Sequence, residues 1–319
     1  MMDIEDIKRG VVSGQKRAAA KLITMMENED SRSLELMKDL YHLTGRAKVI
    51  GITGPPGAGK STVTDQIAKL IRKQGKKVGI IAVDPTSPFS HGAILGDRVR
   101  MNDLNTDSGV FIRSMGTRGA LGGLSDAVYG TVNILDIFGM DYIFIETVGV
   151  GQSEVDIVKV ADVVVMIMVP GLGDDIQTMK AGIMEIGDIF AVNKSDKEGA
   201  QRTAAEIEAM LSFSDKGGKL PPVLNITAKD NTGIDKLLSA IDECYDSMAS
   251  EGTLEERKKS KLKEKIIFIL KNNLVKSALK LDYKTGMLKK LVEDVFNKKI
   301  DPYTASDTLY KNFKMGDEK

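Results

Sequence analysis

The first 46 residues repeat apolar side chains at the three- and four-residue spacing of amphipathic helices. Val11 and Leu22 follow this spacing, and Leu36 and Leu40 follow it again after a polar break. No short β-branched run interrupts them. The pattern predicts an N-terminal helical extension over residues 1–46.

From residue 47 the pattern changes to short β-branched runs that alternate with amphipathic segments. The predicted strands are residues 49–53, 78–83, 110–112, 142–145, 163–169, 189–192 and 223–226. Predicted helices between them include residues 62–73, 124–138, 176–186 and 198–211. Strands alternating with helices of this length are typical of a sheet whose parallel strands need helical crossovers. We therefore expect one α/β domain over residues 47–248, with a doubly wound, mostly parallel sheet of about seven strands.

Beyond residue 248 the chain becomes rich in lysine and helical in pattern, which predicts a third region over residues 249–319. Ile266, Leu270 and Leu274 belong to an apolar set that covers more than one stripe of its first helix. A helix that is apolar on two sides needs two partners. These partners are either the main domain and a second subunit or the two helices that follow, and the pattern leaves both open.

Composition narrows the class of protein. Lys and Arg total 45 and Asp and Glu total 45, so the formal charge is zero, which argues against binding to nucleic acid or to an anionic membrane. The acidic N-terminus does not resemble a signal peptide, and no apolar run is long enough to span a membrane, so a cytoplasmic protein is expected. Cys244 is the only cysteine, and with His42 and His91 it offers no cluster for a soft metal.

A glycine-rich segment joins the first predicted strand to the next helix, and it fits the phosphate-loop pattern of two glycines followed by Lys and Ser. Its backbone N–H groups can surround phosphates, its lysine can reach the β and γ phosphates, and its serine can bind magnesium. A simple glycine-rich turn is the alternative, although such turns rarely lie between a strand and a helix. The predicted nucleotide ligands are Gly54, Pro55, Pro56, Gly57, Ala58, Gly59, Lys60, Ser61 and Thr62.

A second motif, Asn193-Lys194-Ser195-Asp196, follows the strand at residues 189–192. The Asp196 carboxylate can accept hydrogen bonds from N1–H and the exocyclic amine of guanine, which adenine does not offer. A turn with a helix cap is the alternative. Together with the phosphate loop upstream, the motif favours a guanine nucleotide, and a loop after the last strand is expected to close over the base through Thr227, Ala228 and Lys229.

Carboxylates at strand ends can hold magnesium beside the phosphates. Glu146 ends the fourth predicted strand, Asp84 ends the second, and Asp97 lies in the loop after Asp84. Turn or helix caps are the alternative for each. Gln152 follows Glu146 in a glycine-containing loop and is a candidate for orienting the attacking water. We therefore predict catalytic roles for Lys60, Glu146 and Gln152.

Four longer motifs resemble the MeaB/ArgK family of P-loop GTPases, and the resemblance extends over nearly the whole chain. These motifs are VDPTSP (83–88), GDRVRM (96–101), FIRSMGTRG (111–119) and ETVGVGQSE (146–154). The resemblance implies a GTPase chaperone that assists loading and protection of the cofactor in an adenosylcobalamin-dependent acyl-CoA mutase, of the methylmalonyl-CoA mutase type. It also implies a homodimer joined by the C-terminal helices.

The family pattern assigns magnesium roles to Ser61, Asp84, Asp97 and Glu146 and a partner-responsive loop to the stretch after the fifth strand. Within that stretch, Asp174, Gln177 and Lys180 are the candidate coupling residues. Two rival functions stay open at this point. One is a nucleotide-dependent kinase linked to arginine or ornithine transport, and the other is an assembly factor that binds nucleotide without turnover.

Overall fold

The fold was analysed in a computed structural model that describes residues 2–84, 102–116, 126–147, 156–171, 185–213 and 220–316. The chain divides into two compact units, Met1–Glu256 and Arg257–Lys319. The predicted helix at residues 176–186 lies almost wholly outside the described residues. The three-part division at residues 46 and 248 stays a prediction.

Three helices open the first unit, in the segment where apolar spacing predicted them: α1 (Ile4–Val12), α2 (Lys16–Glu27) and α3 (Ser31–Leu40). Asp3 caps α1 and Asp30 caps α3, each by accepting a backbone N–H of the first turn. Their inward faces are apolar, with Leu22 and Ile23 fully buried in the same core as one face of the sheet. The extension is therefore part of the first unit.

The sheet contains seven strands within the described residues, and every pairing between them is parallel. The strands are β1 (Lys48–Thr53), β2 (Val78–Asp84), β3 (Val110–Gly116), β4 (Tyr142–Thr147), β5 (Val163–Met168), β6 (Ile189–Val192) and β7 (Val223–Asn225). Their order is β3-β2-β4-β1-β5-β6-β7. β2 and β3 lie on one side of β1, with β4 inserted between β1 and β2, and β5, β6 and β7 follow on the other side, which confirms the predicted doubly wound α/β fold.

Helices cover both faces of this sheet. They are α4 (Lys60–Lys73), α5 (Asn102–Asn105), α6 (Asp126–Ile137), α7 (Ala200–Phe213) and α8 (Ile234–Glu251). Strand residues alternate between the two faces, so Ile50 and Ile52 of β1 pack with α4 and α8, whereas Val49 packs with α6 and the N-terminal helices. Burial on both faces explains why these strands read as continuous apolar runs.

Aspartates fix the amino edge of the sheet. Asp136 of α6 accepts the backbone N–H of Ala47 at 2.9 Å, just before β1 begins, and Asp162 accepts that of Val49 at 3.2 Å. Asp188 accepts the N–H of Val164 in β5 at 2.8 Å. These bonds hold the starts of two central strands, so the carboxyl ends of those strands meet at the opposite edge, where ligands bind in open α/β sheets.

The second unit contains most of α9 (Thr253–Thr285), which begins in the first unit, together with α10 (Met287–Phe296) and α11 (Pro302–Gly316). Asp301 caps α11 by accepting the N–H groups of Tyr303 and Thr304, both at 2.9 Å. Pro302 occupies the first helical position, where its missing N–H costs no hydrogen bond.

The second unit buries few apolar side chains. Among the side chains that the structure describes there, Leu291 is the single buried apolar residue, whereas Ile266 is 65% exposed and Leu270 is 55% exposed. Residues 257–319 also contain 17 basic and 8 acidic side chains, a formal charge of +9, so the rest of the neutral chain carries −9. The zero charge of the sequence is therefore the sum of two opposite local charges.

Candidate nucleotide-binding site

The predicted phosphate loop joins β1 to α4 at the carboxyl edge of the sheet. Two of its glycines are required by close contacts. A Cβ on Gly54 would lie 2.1 Å from the carbonyl oxygen of Ile167, and one on Gly59 would lie 2.5 Å from Nδ2 of Asn193. Both glycines also have positive φ, 134° and 88°. The loop is thus held tightly against β5 and against the Asn193 motif.

Lys60 is the first residue of α4 and is 6% exposed. Its ammonium group donates to the carbonyl oxygens of Gly54 at 2.8 Å and Pro55 at 3.0 Å. A buried lysine held by carbonyls of its own loop lies where phosphate oxygens of a nucleotide bind in the phosphate-loop arrangement. The geometry fits the role predicted for Lys60.

Ser61 and Glu146 meet at this edge, because the hydroxyl of Ser61 donates to the Glu146 carboxylate. Glu146 is 6% exposed and lies in β4, next to β1, where its Cα pairs with that of Ile52. A hydroxyl and a carboxylate are oxygen ligands of the kind that Mg²⁺ prefers. These two residues fit a magnesium ion beside the phosphates.

A pair of threonines lies directly behind this site and was not identified from the sequence. The hydroxyls of Thr53 and Thr147, the last residues of β1 and β4, are hydrogen-bonded at 2.9 Å. Thr53 is 0% exposed and Thr147 is 1% exposed. A sequence signal existed, since each threonine is the last residue of a mostly apolar strand, but a single sequence does not show that the two side chains meet.

Asn193 connects the phosphate loop to the predicted base loop. Its amide Nδ2 donates to the carbonyl of Ala58 at 2.8 Å, and its Oδ1 accepts the backbone N–H of Ala228 at 3.0 Å. The side chain is 3% exposed. Asn193 therefore positions two loops, a role that the motif alone did not indicate.

Neighbouring residues complete this connection. The ammonium group of Lys194 donates to the carbonyl of Gly57 at 2.8 Å. The hydroxyls of Ser195 and Thr227 are 3.0 Å apart, and the backbone groups of Thr227 and Thr232 exchange two hydrogen bonds. The Asn193 motif is thereby connected both to the phosphate loop and to the base loop. The base loop contains a short 3₁₀-helix at Ala228–Asp230, which precedes α8. The structure thus brings the phosphate loop, the Asn193 motif and the base loop together.

Several predicted site residues are exposed or lie beyond what the structure describes. Thr62, Asp196 and Lys229 are exposed, as are Pro56 and Gly57. Asp84 ends β2 at the same edge of the sheet, but its side chain is outside the described residues. Outside them altogether are Asp97, Gln152, Asp174, Gln177 and Lys180.

Comparison with known proteins agrees with this site. The profile of the family described as methylmalonyl-CoA mutase-associated GTPase MeaB matches residues 19–282. A Pyrococcus abyssi protein named as a GTPase is 48% identical over 312 residues, 97% of this chain and 96% of that protein. The methylmalonic aciduria type A homolog of Caenorhabditis elegans is 30% identical and covers 98% of this chain and 83% of that protein. The GTPase ArgK of Escherichia coli is 34% identical over 79% of this chain and 78% of its own.

A solved structure, that of a LAO/AO transport system kinase, shares the fold with a TM-score of 0.74 and 24% identity over 98% of this chain and 97% of that chain. At this identity the likeness shows a common fold alone. No helix among the described residues combines the length and hydropathy needed to cross a membrane.

Proposed function

The chain belongs to the MeaB family of methylmalonyl-CoA mutase-associated GTPases, and from this premise we propose that it is a chaperone of an adenosylcobalamin-dependent acyl-CoA mutase. It binds guanine nucleotide and hydrolyses GTP, as the family and its relatives establish. The chaperone role assists cofactor loading and protection. The observation that carries the proposal is the family match over residues 19–282, together with relatives named for methylmalonic aciduria that cover 98% of this chain.

The described site residues have defined roles under this proposal. Lys60 is the residue that would exchange the carbonyls of its loop for phosphate oxygens, and Asn193 holds the phosphate loop and base loop together. Ser61 and Glu146 are the residues that would hold magnesium, which would neutralise charge on the phosphates. We assign guanine recognition to Asp196 and orientation of the attacking water to Gln152.

We assign coupling to the mutase to the loop after β5. β5 ends at Met168, beside the strand that leads into the phosphate loop, and Gly171 at φ 89° begins the departure from the sheet. Asp174, Gln177 and Lys180 follow in the sequence. A loop near the phosphates can change with nucleotide state and be held by a bound protein, as in other switch loops.

We also propose a homodimer through the second unit. Its exposed apolar side chains include Ile266, Leu270 and Phe296, and its described side chains bury Leu291 alone among apolar residues. Contact with a second copy would remove such a surface from water. The charge of +9 on the second unit of each copy opposes this contact, so apolar burial must outweigh the repulsion.

The test is a set of GTP hydrolysis rates with and without methylmalonyl-CoA mutase. The mutase is expected to accelerate hydrolysis by wild type, and Lys180→Ala or Gln177→Ala is expected to remove most of the acceleration while unstimulated hydrolysis stays near the wild-type rate. γ-Labelled GTP gives a second readout, because label in an acceptor would indicate a kinase. Hydrolysis that no mutase accelerates would contradict the chaperone proposal and favour an assembly factor without productive turnover.

A further inference from the structure

The backbone pairing between β1 and β4 ends at the carboxyl edge of the sheet, beside the proposed nucleotide site. The register between these strands stops at the pair Ile52 and Glu146. One residue further on, Thr53 pairs with Met166 of β5, and Thr147 pairs with Val83 of β2. Beyond the pair Ile52 and Glu146 each strand keeps only its outer neighbour, at the edge where the phosphate loop begins.

Two threonine hydroxyls are hydrogen-bonded to each other just beyond the last backbone pair of β1 and β4. Thr53 and Thr147 are hydrogen-bonded at 2.9 Å, and both side chains are almost completely buried. In such a site each hydroxyl needs a partner, because an unpaired buried hydroxyl loses its hydrogen bonds to water without replacement. The pair thus provides a side-chain link at the position after the last paired backbone residues.

Alternation along β4 places two links on opposite faces of the sheet. Glu146 lies on the α4 face and accepts from Ser61, which belongs to the phosphate loop. Thr147 lies on the other face and bonds to Thr53, the residue before that loop. Ser61 and Glu146 are themselves the proposed magnesium ligands, so their mutual bond must change when the ion binds. The threonine bond involves no proposed ligand and can persist in every nucleotide state.

We propose that Thr53 and Thr147 are positioning residues for GTP hydrolysis, which hold the Glu146 carboxylate at a fixed place relative to the phosphate loop. Both hydroxyls lie on the face of the sheet opposite to Glu146, and neither residue is among the proposed nucleotide or magnesium ligands. Their effect passes through Glu146. The inference concerns the hydrolytic site and stands whether or not a mutase is the partner.

The test uses Thr53→Val, Thr147→Val and the double variant, which keep side-chain shape and remove one or both hydroxyls. Each single variant is expected to lower the hydrolysis rate at saturating GTP about tenfold, because misplacement of a catalytic group is costly. The Mg²⁺ concentration that half-maximally slows GDP release is expected to rise several-fold. GDP affinity in EDTA is expected to stay within about twofold of wild type, because the phosphate loop itself is unchanged.

Two further variants, together with the double variant, separate an effect on positioning from an effect on stability alone. Thr147→Ser keeps the hydroxyl and is expected to restore both the rate and the Mg²⁺ response. Thr131→Val removes another fully buried hydroxyl, which donates to Ala127 in α6, and is expected to leave both unchanged. The double variant removes both hydroxyls, so no buried hydroxyl of the pair is left without its partner, and it carries the test if a single variant does not fold. Its hydrolysis rate is expected to fall about as much as that of either single variant, because the same bond is lost. Normal rates and Mg²⁺ response in the double variant, with only a lower unfolding temperature, would overturn the proposal.

Discussion

Replacing Asn193 with alanine tests the connection between the two halves of the nucleotide site. The change removes the hydrogen bond to the Ala58 carbonyl at 2.8 Å and the one from the Ala228 N–H at 3.0 Å. Ala58 is 0% exposed and Ala228 is 1% exposed, so neither backbone group is compensated by bulk water. Both bonds are lost from loops that are predicted to bind nucleotide, not from the distant core.

The magnitude follows from these two bonds. A buried intramolecular hydrogen bond contributes about 1 to 1.5 kcal/mol net, so the pair contributes about 2 to 3 kcal/mol. If this free energy is lost from the binding-competent arrangement, GDP affinity falls about 30- to 150-fold, since about 1.4 kcal/mol corresponds to a tenfold change. Any share lost from folding instead lowers the unfolding temperature of the nucleotide-free protein.

Fluorescent GDP titration measures the free energy lost from nucleotide binding, and thermal unfolding measures the free energy lost from folding. Asn225→Ala is the matched control, because Asn225 is exposed at the end of β7 and is expected to change neither quantity. Asn193→Asp keeps an acceptor for the Ala228 N–H but places a carboxylate oxygen against the Ala58 carbonyl. It is expected to weaken GDP while retaining the base-loop contact. GDP affinity of Asn193→Ala within about threefold of wild type, with an unchanged unfolding temperature, would refute the connecting role.

Three other predictions follow. Asp196→Asn should weaken GTP by several kcal/mol and favour xanthosine triphosphate, because its amide no longer accepts both guanine donors; unchanged preference in paired titrations would exclude Asp196 as the base reader. Ile266→Glu with Leu270→Glu should give a monomer by light scattering that still binds GDP, and the wild-type dimer should tighten as salt screens the +9 charges; a persistent dimer would contradict the interface. The Arg72 guanidinium holds the pKa of the Asp107 carboxyl below its usual value, so this pair stabilises the fold above the ordinary aspartate pKa and the effect disappears as pH falls through the lowered value. Arg72→Met should therefore lower the unfolding temperature at neutral pH, with the deficit shrinking below about pH 4, and a pH-independent deficit would show that the ion pair is not its cause.

The sheet was predictable because its strands are buried on both faces. Val163–Met168, for example, is apolar at every position and fully buried, so its hydrophobicity identifies it without knowledge of its neighbours. The phosphate loop was predictable for a related reason. Close contacts with the Ile167 carbonyl and with the Asn193 side chain require glycine at positions 54 and 59, and such requirements leave a pattern in the sequence itself.

The connections within the site were not predictable from one sequence, because they join residues that are far apart in the chain. Asn193 follows Ala58 by 135 positions, and Thr147 follows Thr53 by 94. Periodicity reports on neighbours three or four positions away and carries no information on such pairs. The whole-chain charge was misleading for a similar reason, since opposite charges on two units sum to zero in the composition.

Helix α8 leads from the base loop to the start of α9, and side-chain contacts fasten it to the sheet. α8 begins at Ile234, directly after the base loop, and at about 1.5 Å per residue its 18 residues extend about 27 Å. Its far half is fastened to the sheet, since Asp242 accepts from the Lys48 ammonium at 2.8 Å and from the Tyr142 hydroxyl at 2.6 Å. Burial raises the pKa of Tyr142, helped by this carboxylate, so the tyrosine remains a neutral donor. A helix anchored in this way does not slide freely along the sheet. Nucleotide-dependent movement is therefore expected in the loops at the carboxyl edge, whereas α8 keeps its place and ends at Gly252, where a φ of 81° turns the chain into α9.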